Sequence, residues 1–334
     1  MLDEVDPIPP YSPEQVEILH RSLDSSIIVA GGPCTGKTIL AIMKARHIVD
    51  EGKRCLFIAG TSLSQKYVKH AFLSIGLSSL SCLTYYQATK DNSSYEVIIF
   101  DDAHLFSSEQ IRALLLMTRY LCLFGDFERR FLYNYEDSII NDRDTMSGFH
   151  VYSLSRPFNI PLNFIRLIPR FSNSFPPSSD KSLPVISKVG SIDEQCLTVK
   201  YLIETMLFDN VGVLCYTRSL VKTVLEKFNS LGMQIEVYLP GREDRIDTLD
   251  IDSSAPKLMT IASSVGVHFN TVFILGFDFD IVWNNPIDVL ETAITRATEN
   301  LFVFYEKQLP EPVASLPPSV YKPLYHNNDK ADLF

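Results

Sequence analysis

A glycine-rich segment follows a short apolar run near the start of the chain. The run at residues 26–30 reads SIIVA, and the next eight residues, 31–38, read GGPCTGKT. The residues that come after them, ILAIMKARHIVD, have the apolar spacing of a helix. A strand, a loop ending in Gly-Lys-Thr and a helix form the arrangement in which backbone amides surround a phosphate. The segment therefore predicts an α/β domain with a phosphate site after an early strand.

Each position of this loop has a chemical reason. Gly31 and Gly36 let the backbone curl round phosphate groups, and Lys37 would bridge the β- and γ-phosphates of a nucleotide. The Thr38 hydroxyl would hold Mg²⁺ at the start of the following helix. Matches to so short a pattern also arise by chance, but the flanking strand and helix favour ATP and Mg²⁺ as cofactors. The other predicted contacts with the nucleotide are Gly32, Pro33, Cys34 and Thr35.

A pair of acids ends a second apolar run, EVIIFDDAH at residues 96–104. Asp101 would coordinate the Mg²⁺, and Asp102 stands where a residue orienting the attacking water belongs. The alternative is that the two acids cap the next helix. The metal ligands predicted from the sequence are thus Thr38 and Asp101, and the predicted catalytic residues include Lys37, Asp101 and Asp102.

Apolar runs alternate with helical stretches along most of the chain, which favours parallel sheets covered by helices on both faces. The runs begin at residues 26, 55, 96 and 120, and again at 211, 234, 257, 271 and 300. Pro, Ser, Asn and Asp interrupt the pattern between 140 and 180. We therefore predict two α/β domains, 1–152 and 153–308. Residues 309–334 are predicted to form a proline-rich tail or a strap over the surface.

The composition is that of a globular protein, with 46% hydrophobic and 21% charged residues among 334. The net charge of −10 means that a nucleic acid would need a local basic groove. The six cysteines form no CxxC pair, and most lie in apolar runs, which favours reduced thiols. The acidic, proline-rich start is unlike a signal peptide, and no apolar run approaches the ~20 residues of a membrane span. We expect a cytoplasmic protein that does not enter a membrane.

Eight segments, taken in order over residues 11–305, resemble the motifs of the UvrD/Rep-like superfamily 1 DNA helicases. The segments are YSPEQVEIL (Q motif), GGPCTGKT (I), CLFIAGTSLSQKYV (Ia), DDAH (II), LFGDFERR (III), LSRPFNIP (IV), TIASSVGVHFNTVFILG (V) and, completing the order, ETAITRATENLFVFY (VI). The resemblance implies two RecA-like P-loop NTPase domains, ATP hydrolysis and movement on single-stranded nucleic acid, DNA rather than RNA. The spacing leaves no room for the two large insertions of such enzymes, which indicates a minimal form.

The resemblance also assigns roles to individual residues. Gln15 matches the glutamine that reads adenine, and Arg296 matches the arginine finger that reaches the γ-phosphate from the second domain. A cation in that position has an independent rationale, because it makes domain closure depend on the nucleotide. The alternative for Arg296 is pairing with surface acids. His268 stands where the ribose-binding glutamate of motif V belongs, and a structural role for it stays open.

Several motifs depart from the family pattern. Asp102 replaces a glutamate, Arg129 replaces a nucleotide-sensing glutamine, and Asn159 replaces a second arginine for which only Arg156 or Arg170 could substitute. In motif V, Val265 stands where the family has lysine. These changes leave two hypotheses open: an ATP-driven helicase or translocase, and a degenerate helicase that acts as a nucleotide-gated regulatory subunit of a nuclease or of a defence or repair complex. A small-molecule kinase is a more distant third.

Contacts with a single strand are expected on loops that follow the strands, with aromatic stacking. The alternatives are helix caps for the hydroxyl residues and core packing for the tyrosines. The last five residues, Lys330 to Phe334, read KADLF and resemble a peptide that docks on the sliding clamp, although the tail could also fold back on its own domain. The candidates for contact with nucleic acid are Thr61, Ser62, Lys66, Lys69, Tyr85, Tyr86, Gln87, Tyr216, Thr217 and Arg218.

Overall fold

The computed structural model describes residues 11–127, 138–158, 160–168, 183–241, 244–278, 286–311 and 313–324. The chain divides into two compact units, Met1–Phe158 and Asn159–Phe334. Each unit is built on its own sheet, with helices packed against it. None of the helices in the described ranges combines the length and the apolar character that crossing a bilayer would require.

The first unit contains a six-stranded sheet in which every strand runs parallel to its neighbours. The strand order is β3-β2-β4-β5-β1-β6. The four strands from β2 to β1 in that order consist largely of buried apolar residues, as expected for a sheet covered on both faces. The strands are β1 (Ser26–Gly31), β2 (Cys55–Ala59), β3 (Ser81–Thr84), β4 (Tyr95–Asp101), β5 (Thr118–Gly125) and β6 (Phe149–Leu154).

Helices follow these strands and bury apolar faces on the sheet. Several begin at a hydroxyl residue that caps the first turn, as Thr61 does for α3 and Ser107 does for α5. Core packing joins the layers: the Phe57 ring on β2 lies edge-on to the Phe72 ring on α3, with 5.4 Å between centroids. The helices are α1 (Pro13–His20), α2 (Lys37–Asp50), α3 (Ser62–Ser74), α4 (Tyr85–Ala88), α5 (Ser108–Leu115) and α6 (Arg143–Met146).

The second unit contains a seven-stranded sheet in the order β10-β9-β11-β8-β12-β13-β7. Among the strands that the described residues form, only the short β10 runs antiparallel to its neighbour. Its strands are β7 (Val185–Lys188), β8 (Val211–Cys215), β9 (Glu236–Leu239), β10 (Ile246–Asp247), β11 (Lys257–Thr260), β12 (Phe269–Leu275) and β13 (Ala297–Tyr305). Its helices are α7 (Leu162–Ile165), α8 (Ile192–Met206), α9 (Arg218–Ser230) and α10 (Pro286–Ile294).

The limit of the first unit and the course of the segment after residue 308 can be compared with the sequence-based expectation. The limit predicted at residue 152 falls inside β6, which pairs with β1, and the first unit continues to Phe158. The described part of the predicted tail runs along the second sheet as a strap. The Lys322 backbone accepts a hydrogen bond from the Ile186 amide at 2.9 Å and donates one to the Pro184 carbonyl at 2.9 Å. The predicted clamp-binding peptide, Lys330 to Phe334, lies outside the described residues.

Candidate functional site

The loop between β1 and α2 is tightly turned. Cys34 and Gly36 both have left-handed backbone angles, with φ of 59° and 82°. A Cβ atom on Gly31 would lie 2.8 Å from Thr35 Oγ1 and 2.9 Å from the Leu154 carbonyl, so only glycine fits there. Gly36 is the N-cap of α2 and offers no side-chain acceptor to its first turn. The first backbone N–H groups of α2 are therefore not capped by that residue, as an anion site at a helix start requires.

Lys37 folds back over this loop. Its Nζ donates hydrogen bonds to the carbonyls of Gly31 at 2.9 Å and Gly32 at 2.6 Å. Thr35 Oγ1 donates to the same Gly32 carbonyl at 2.9 Å. The ammonium group thus lies at the mouth of the loop, where it could exchange carbonyl partners for phosphate oxygens.

Gln15 braces the loop from outside. Its Nε2 donates to the Thr35 carbonyl at 3.1 Å, and its Oε1 accepts from the Ser12 amide at 2.9 Å. Ser12 and Gln15 form a capping box at the start of α1. The predicted adenine-reading residue is therefore buried, with 5% of its surface exposed, and directly touches the backbone of the glycine-rich loop.

Asp101 lies at the end of β4 and faces the start of α2. The Thr38 side chain and the Lys37 charge both act on its carboxylate in the direction that lowers its pKa. Burial, and then the negative charge of Asp102, raise the pKa of Asp101 to about 7, against the opposing effects of Thr38 and Lys37. Its Oδ1 is buried and has no hydrogen-bond partner among the described residues. A buried carboxylate oxygen without a donor is suited to a cation.

Asp102 follows in a left-handed conformation with φ of 56°. Its Oδ2 is buried, and no side chain or backbone group of the described ranges donates to it. A Cβ atom on Gly60 would lie 2.6 Å from the Asp102 Cβ, so β2 and β4 approach closely here. The alternative reading as a helix cap is wrong for Asp102, because its side chain makes no capping bond to the turn Ala103–Leu105.

Sequence reasoning missed two polar residues at the same edge of the sheet. Asp126 comes directly after β5, the strand between β1 and β4, and is 4% exposed. His104 lies against Gly125, where a Cβ atom would be 3.1 Å from its Nδ1, and its ring is edge-on to Phe127 at 6.5 Å. The signal for Asp126 was present, because an acid that ends an apolar strand is the pattern that identified Asp101.

Residues after β6 also reach the glycine-rich loop. The Phe158 amide donates to the Cys34 carbonyl at 2.6 Å. The Arg156 guanidinium lies over the Phe158 ring, 5.8 Å from its centroid. Arg156, one of the two predicted substitutes for the missing motif IV arginine, therefore belongs to the first unit, while Asn159 and Arg170 lie outside the described residues.

Arg296 lies in the second unit and is 4% exposed. It donates to the carbonyls of Thr292 at 3.0 Å and Val267 at 3.2 Å, and to Thr295 Oγ1 at 2.9 Å. His268 is exposed and lies between two residues that contact Arg296, because the Phe269 amide donates to the Arg296 carbonyl at 2.8 Å. The structure therefore brings Gln15, the loop, Asp101 and Asp102 together in one unit, and Arg296 and His268 together in the other. Arg129 lies outside the described residues.

Several candidates for contact with nucleic acid have local structural roles. Thr61 caps α3, accepting from the Ser64 amide at 3.0 Å. Thr217 caps α9 in the same way, at 3.1 Å to Leu220. Tyr85 is 7% exposed and packs its ring against those of Phe100 and Phe106, whereas Tyr86 is 65% exposed. Arg218 is bound by the Pro240 carbonyl and by Asp244. The Gln87 side chain accepts from the Thr84 amide at 2.9 Å.

Comparisons with known proteins give little for this chain. No family model matches the sequence, and no curated protein matches it at a significant level. One solved structure that it resembles is the C-terminal domain of a possible DNA helicase from Lactobacillus plantarum WCFS1, with a TM-score of 0.36 and 13% sequence identity. That alignment covers 48% of this chain and 92% of the other. At this TM-score the likeness carries no argument about fold or function.

Proposed function

We propose that the protein is a helicase-type P-loop ATPase that acts on single-stranded DNA with two RecA-like domains. The observation that carries this proposal is the buried carboxylate of Asp101, whose Oδ1 has no donor among the described residues and whose pKa, raised by burial, is lowered in part by Thr38 and Lys37 at the end of the glycine-rich loop. A hydroxyl and a carboxylate, close together at the start of a helix beside a lysine, form an oxygen-donor set suited to a metal-bound triphosphate. The buried Oδ1 of Asp101 fits the same proposal, because no donor among the described residues occupies its lone pairs, which can therefore bind a cation.

In this proposal the loop amides and Lys37 hold the phosphates. Lys37 Nζ, which donates to the Gly31 and Gly32 carbonyls in this structure, would donate to phosphate oxygens when a nucleotide binds. Thr38 and Asp101 are the residues that would hold Mg²⁺. The ion would neutralise charge that develops on the transferring phosphoryl group. Because the pKa of Asp101 is raised to about 7, nucleotide binding would proceed with loss of its proton near neutral pH.

Asp102 would orient the attacking water. Its Oδ2 is buried beside Asp101 and lacks a donor within the described ranges, so it can accept a hydrogen bond from that water. Gln15 would read adenine, but both ends of its amide are engaged, by Thr35 and Ser12. The second hydrogen of Nε2 and the second lone pair of Oε1 are the groups that a base could use.

Single-stranded DNA as the second substrate follows from the resemblance of the motif order to the UvrD/Rep-like family. The candidates best suited to touch it are the exposed Lys69 and Tyr86, together with the half-buried Lys66, which precedes Lys69 by about one turn of α3. An exposed tyrosine offers a stacking face, and the lysines supply the local positive charge that the net charge of −10 makes necessary.

A second candidate function is a nucleotide-gated regulatory subunit with slow turnover, for example in a nuclease, defence or repair complex. The observation that favours it is that the Arg296 guanidinium donates hydrogen bonds to Thr292, Val267 and Thr295 within its own unit. To act on a γ-phosphate, it would first have to leave these acceptors. The short side chain of Asp102 favours the same function, because its carboxylate reaches one methylene less far than glutamate.

ATP turnover with and without single-stranded DNA separates the two candidates. The motor predicts strong stimulation by DNA, and the switch predicts tight ATP binding with negligible turnover in both conditions. The Lys37→Ala variant is the control, since it removes the phosphate-binding ammonium. Equal turnover by the wild-type chain and this variant would contradict an ATPase function of either kind.

A further inference from the structure

The helix that carries Gln15 is anchored at both ends. At its start, the Ser12 capping box fixes Gln15, whose Nε2 donates to the Thr35 carbonyl of the glycine-rich loop at 3.1 Å. At its end, the carbonyls of Leu19 and Arg21 remain without helical partners, because the chain leaves the helix at Arg21 with an extended backbone. Donors to these two carbonyls would therefore hold the end of α1 in place.

Lys44 supplies the donors for that second end. Its Nζ donates to the Leu19 carbonyl at 3.0 Å and to the Arg21 carbonyl at 2.6 Å. Lys44 lies on α2, two turns after Lys37, and only 1% of its surface is exposed. One helix therefore carries both the phosphate-binding lysine and the lysine that anchors α1.

Burying a lysine at this position costs free energy. Burial lowers the pKa of Lys44, which means that the charged form costs free energy in this environment. An apolar side chain of the same length would fill the same space without that cost. What lysine adds is a directed pair of hydrogen bonds to the end of α1.

A further contact ties the end of α1 to the edge of the sheet. Arg21 donates to the Tyr152 hydroxyl at 2.7 Å, and Tyr152 lies on β6. β6 also carries Leu154, whose carbonyl lies against Gly31 at the start of the loop. The end of α1 is thus joined to the two elements that flank the glycine-rich loop, α2 and β6.

We propose that Lys44 is a positioning residue for the nucleotide base: by fixing the end of α1 on α2, it sets where Gln15 lies against Thr35. This inference rests on the proposed function of the same site. It assigns Lys44 to the affinity for the base and ribose half of the nucleotide. The affinity for the phosphates is assigned to the loop amides and Lys37, whose ammonium group is held by the loop's own carbonyls at Gly31 and Gly32.

The test compares Mg·ATP with Mg·tripolyphosphate, which has the phosphates and no base. Binding of both is measured by calorimetry for the wild-type chain and for Lys44→Met. Arg46→Met is the matched control, since Arg46 also donates from α2 to the end of another helix, at 2.6 Å to the carbonyl of Ile75, the C-cap of α3. We expect Lys44→Met to weaken ATP binding about tenfold and tripolyphosphate binding less than twofold, and Arg46→Met to change neither.

An equal loss for both ligands, or no loss for either, would overturn the assignment of Lys44 to the base. If the wild-type chain binds neither ligand, the proposed function fails, and this inference fails with it. If Lys44→Met does not fold, Tyr152→Phe decides, because it removes only the hydroxyl that receives Arg21. We then expect the same selective loss for ATP, about threefold, and unchanged ATP binding would overturn the inference.

Discussion

The Thr38 side chain acts on the carboxylate of Asp101 and opposes the rise in its pKa that burial causes, so the first turn of α2 lies against the end of β4. β5 separates β4 from β1, so this contact spans the centre of the first sheet at its carboxyl edge. Parallel strands bring their carboxyl ends to one edge, and the loops that leave there converge. The site therefore follows from strand order rather than from neighbouring positions in sequence.

Replacing Asp101 by asparagine should stabilise the metal-free protein while removing its activity. Burial raises the pKa of Asp101 to about 7 from its ordinary 3.8, so the folded state holds a proton that the unfolded state releases. The free energy of unfolding of the wild-type chain should thus fall as the pH rises through this interval. At pH 8 we expect Asp101→Asn to be more stable by roughly 1–3 kcal/mol, measured by urea unfolding without Mg²⁺.

The pH dependence is the decisive part of that experiment. The stability difference between Asp101→Asn and the wild-type chain should be small near pH 4, grow up to about pH 7 and stay constant above it. A difference that does not change with pH would mean that Asp101 is not held in its protonated form by burial.

Gly31→Ala should damage the loop, whereas Gly148→Ala should not. A Cβ atom on Gly31 would meet Thr35 Oγ1 and the Leu154 carbonyl within 3 Å, and the backbone carbonyl cannot move aside cheaply. A Cβ atom on Gly148 has only the Thr145 carbonyl nearby, at 3.7 Å. We expect Gly31→Ala to lose about 1–3 kcal/mol of stability and at least about tenfold in ATP affinity. Equal behaviour of the two variants in thermal unfolding and ATP titration would contradict the loop geometry.

The apolar runs predicted most strands of both sheets. Each of the nine runs contains a strand, from β1 at Ser26–Gly31 to β13 at Ala297–Tyr305. The strands that sequence reasoning missed are short or lie at a sheet edge. β6 is half exposed and alternates polar with apolar residues, so it lacks the continuous apolar signal and was divided by the predicted boundary at 152. β10 has two residues, too few for any period.

A residue of the candidate site could be predicted where its role follows from a local sequence motif. It could not be predicted where its bonding partner is far away in the sequence. Gly31, Gly36, Lys37 and Thr38 follow from one motif, and Asp101 follows from the end of an apolar run. The burial of Lys44 could not be predicted, because a lysine at that position of an amphipathic helix looks like a solvated side chain. Its acceptors lie 23 and 25 residues earlier in the chain, in the end of a different helix.

Asp102→Glu should increase ATP turnover. The added methylene would move the carboxylate outward by about 1.5 Å, towards a water at the γ-phosphate. Glutamate tolerates the left-handed backbone of Asp102 less well, so a small loss of thermal stability is expected alongside. We expect turnover to rise about tenfold, and Asp102→Asn to lower it, in a steady-state phosphate-release assay. A Glu variant no faster than the wild-type chain would show that Asp102 does not limit the reaction.

The cost of burying Lys44 should be visible in the pH dependence of stability. Because burial lowers its pKa below the ordinary 10.5, the unfolded state binds more protons in that interval, and wild-type stability gains as the pH rises towards 10.5. Lys44→Met lacks this gain. Its stability relative to the wild-type chain should therefore decrease as the pH rises towards 10.5, measured by urea unfolding. A constant difference would show that the ammonium group is not penalised by burial.

Calorimetric titration of the wild-type chain and of Lys37→Ala with Mg·ATP tests the central claim most directly, because it measures binding without requiring turnover, DNA or a partner. The account predicts a single site in the wild-type chain and a loss of at least about a hundredfold in affinity when the ammonium group is removed. The same affinity for both proteins, or no binding by a folded wild-type chain, would contradict the assignment of the Gly31 to Thr38 loop as a nucleotide site.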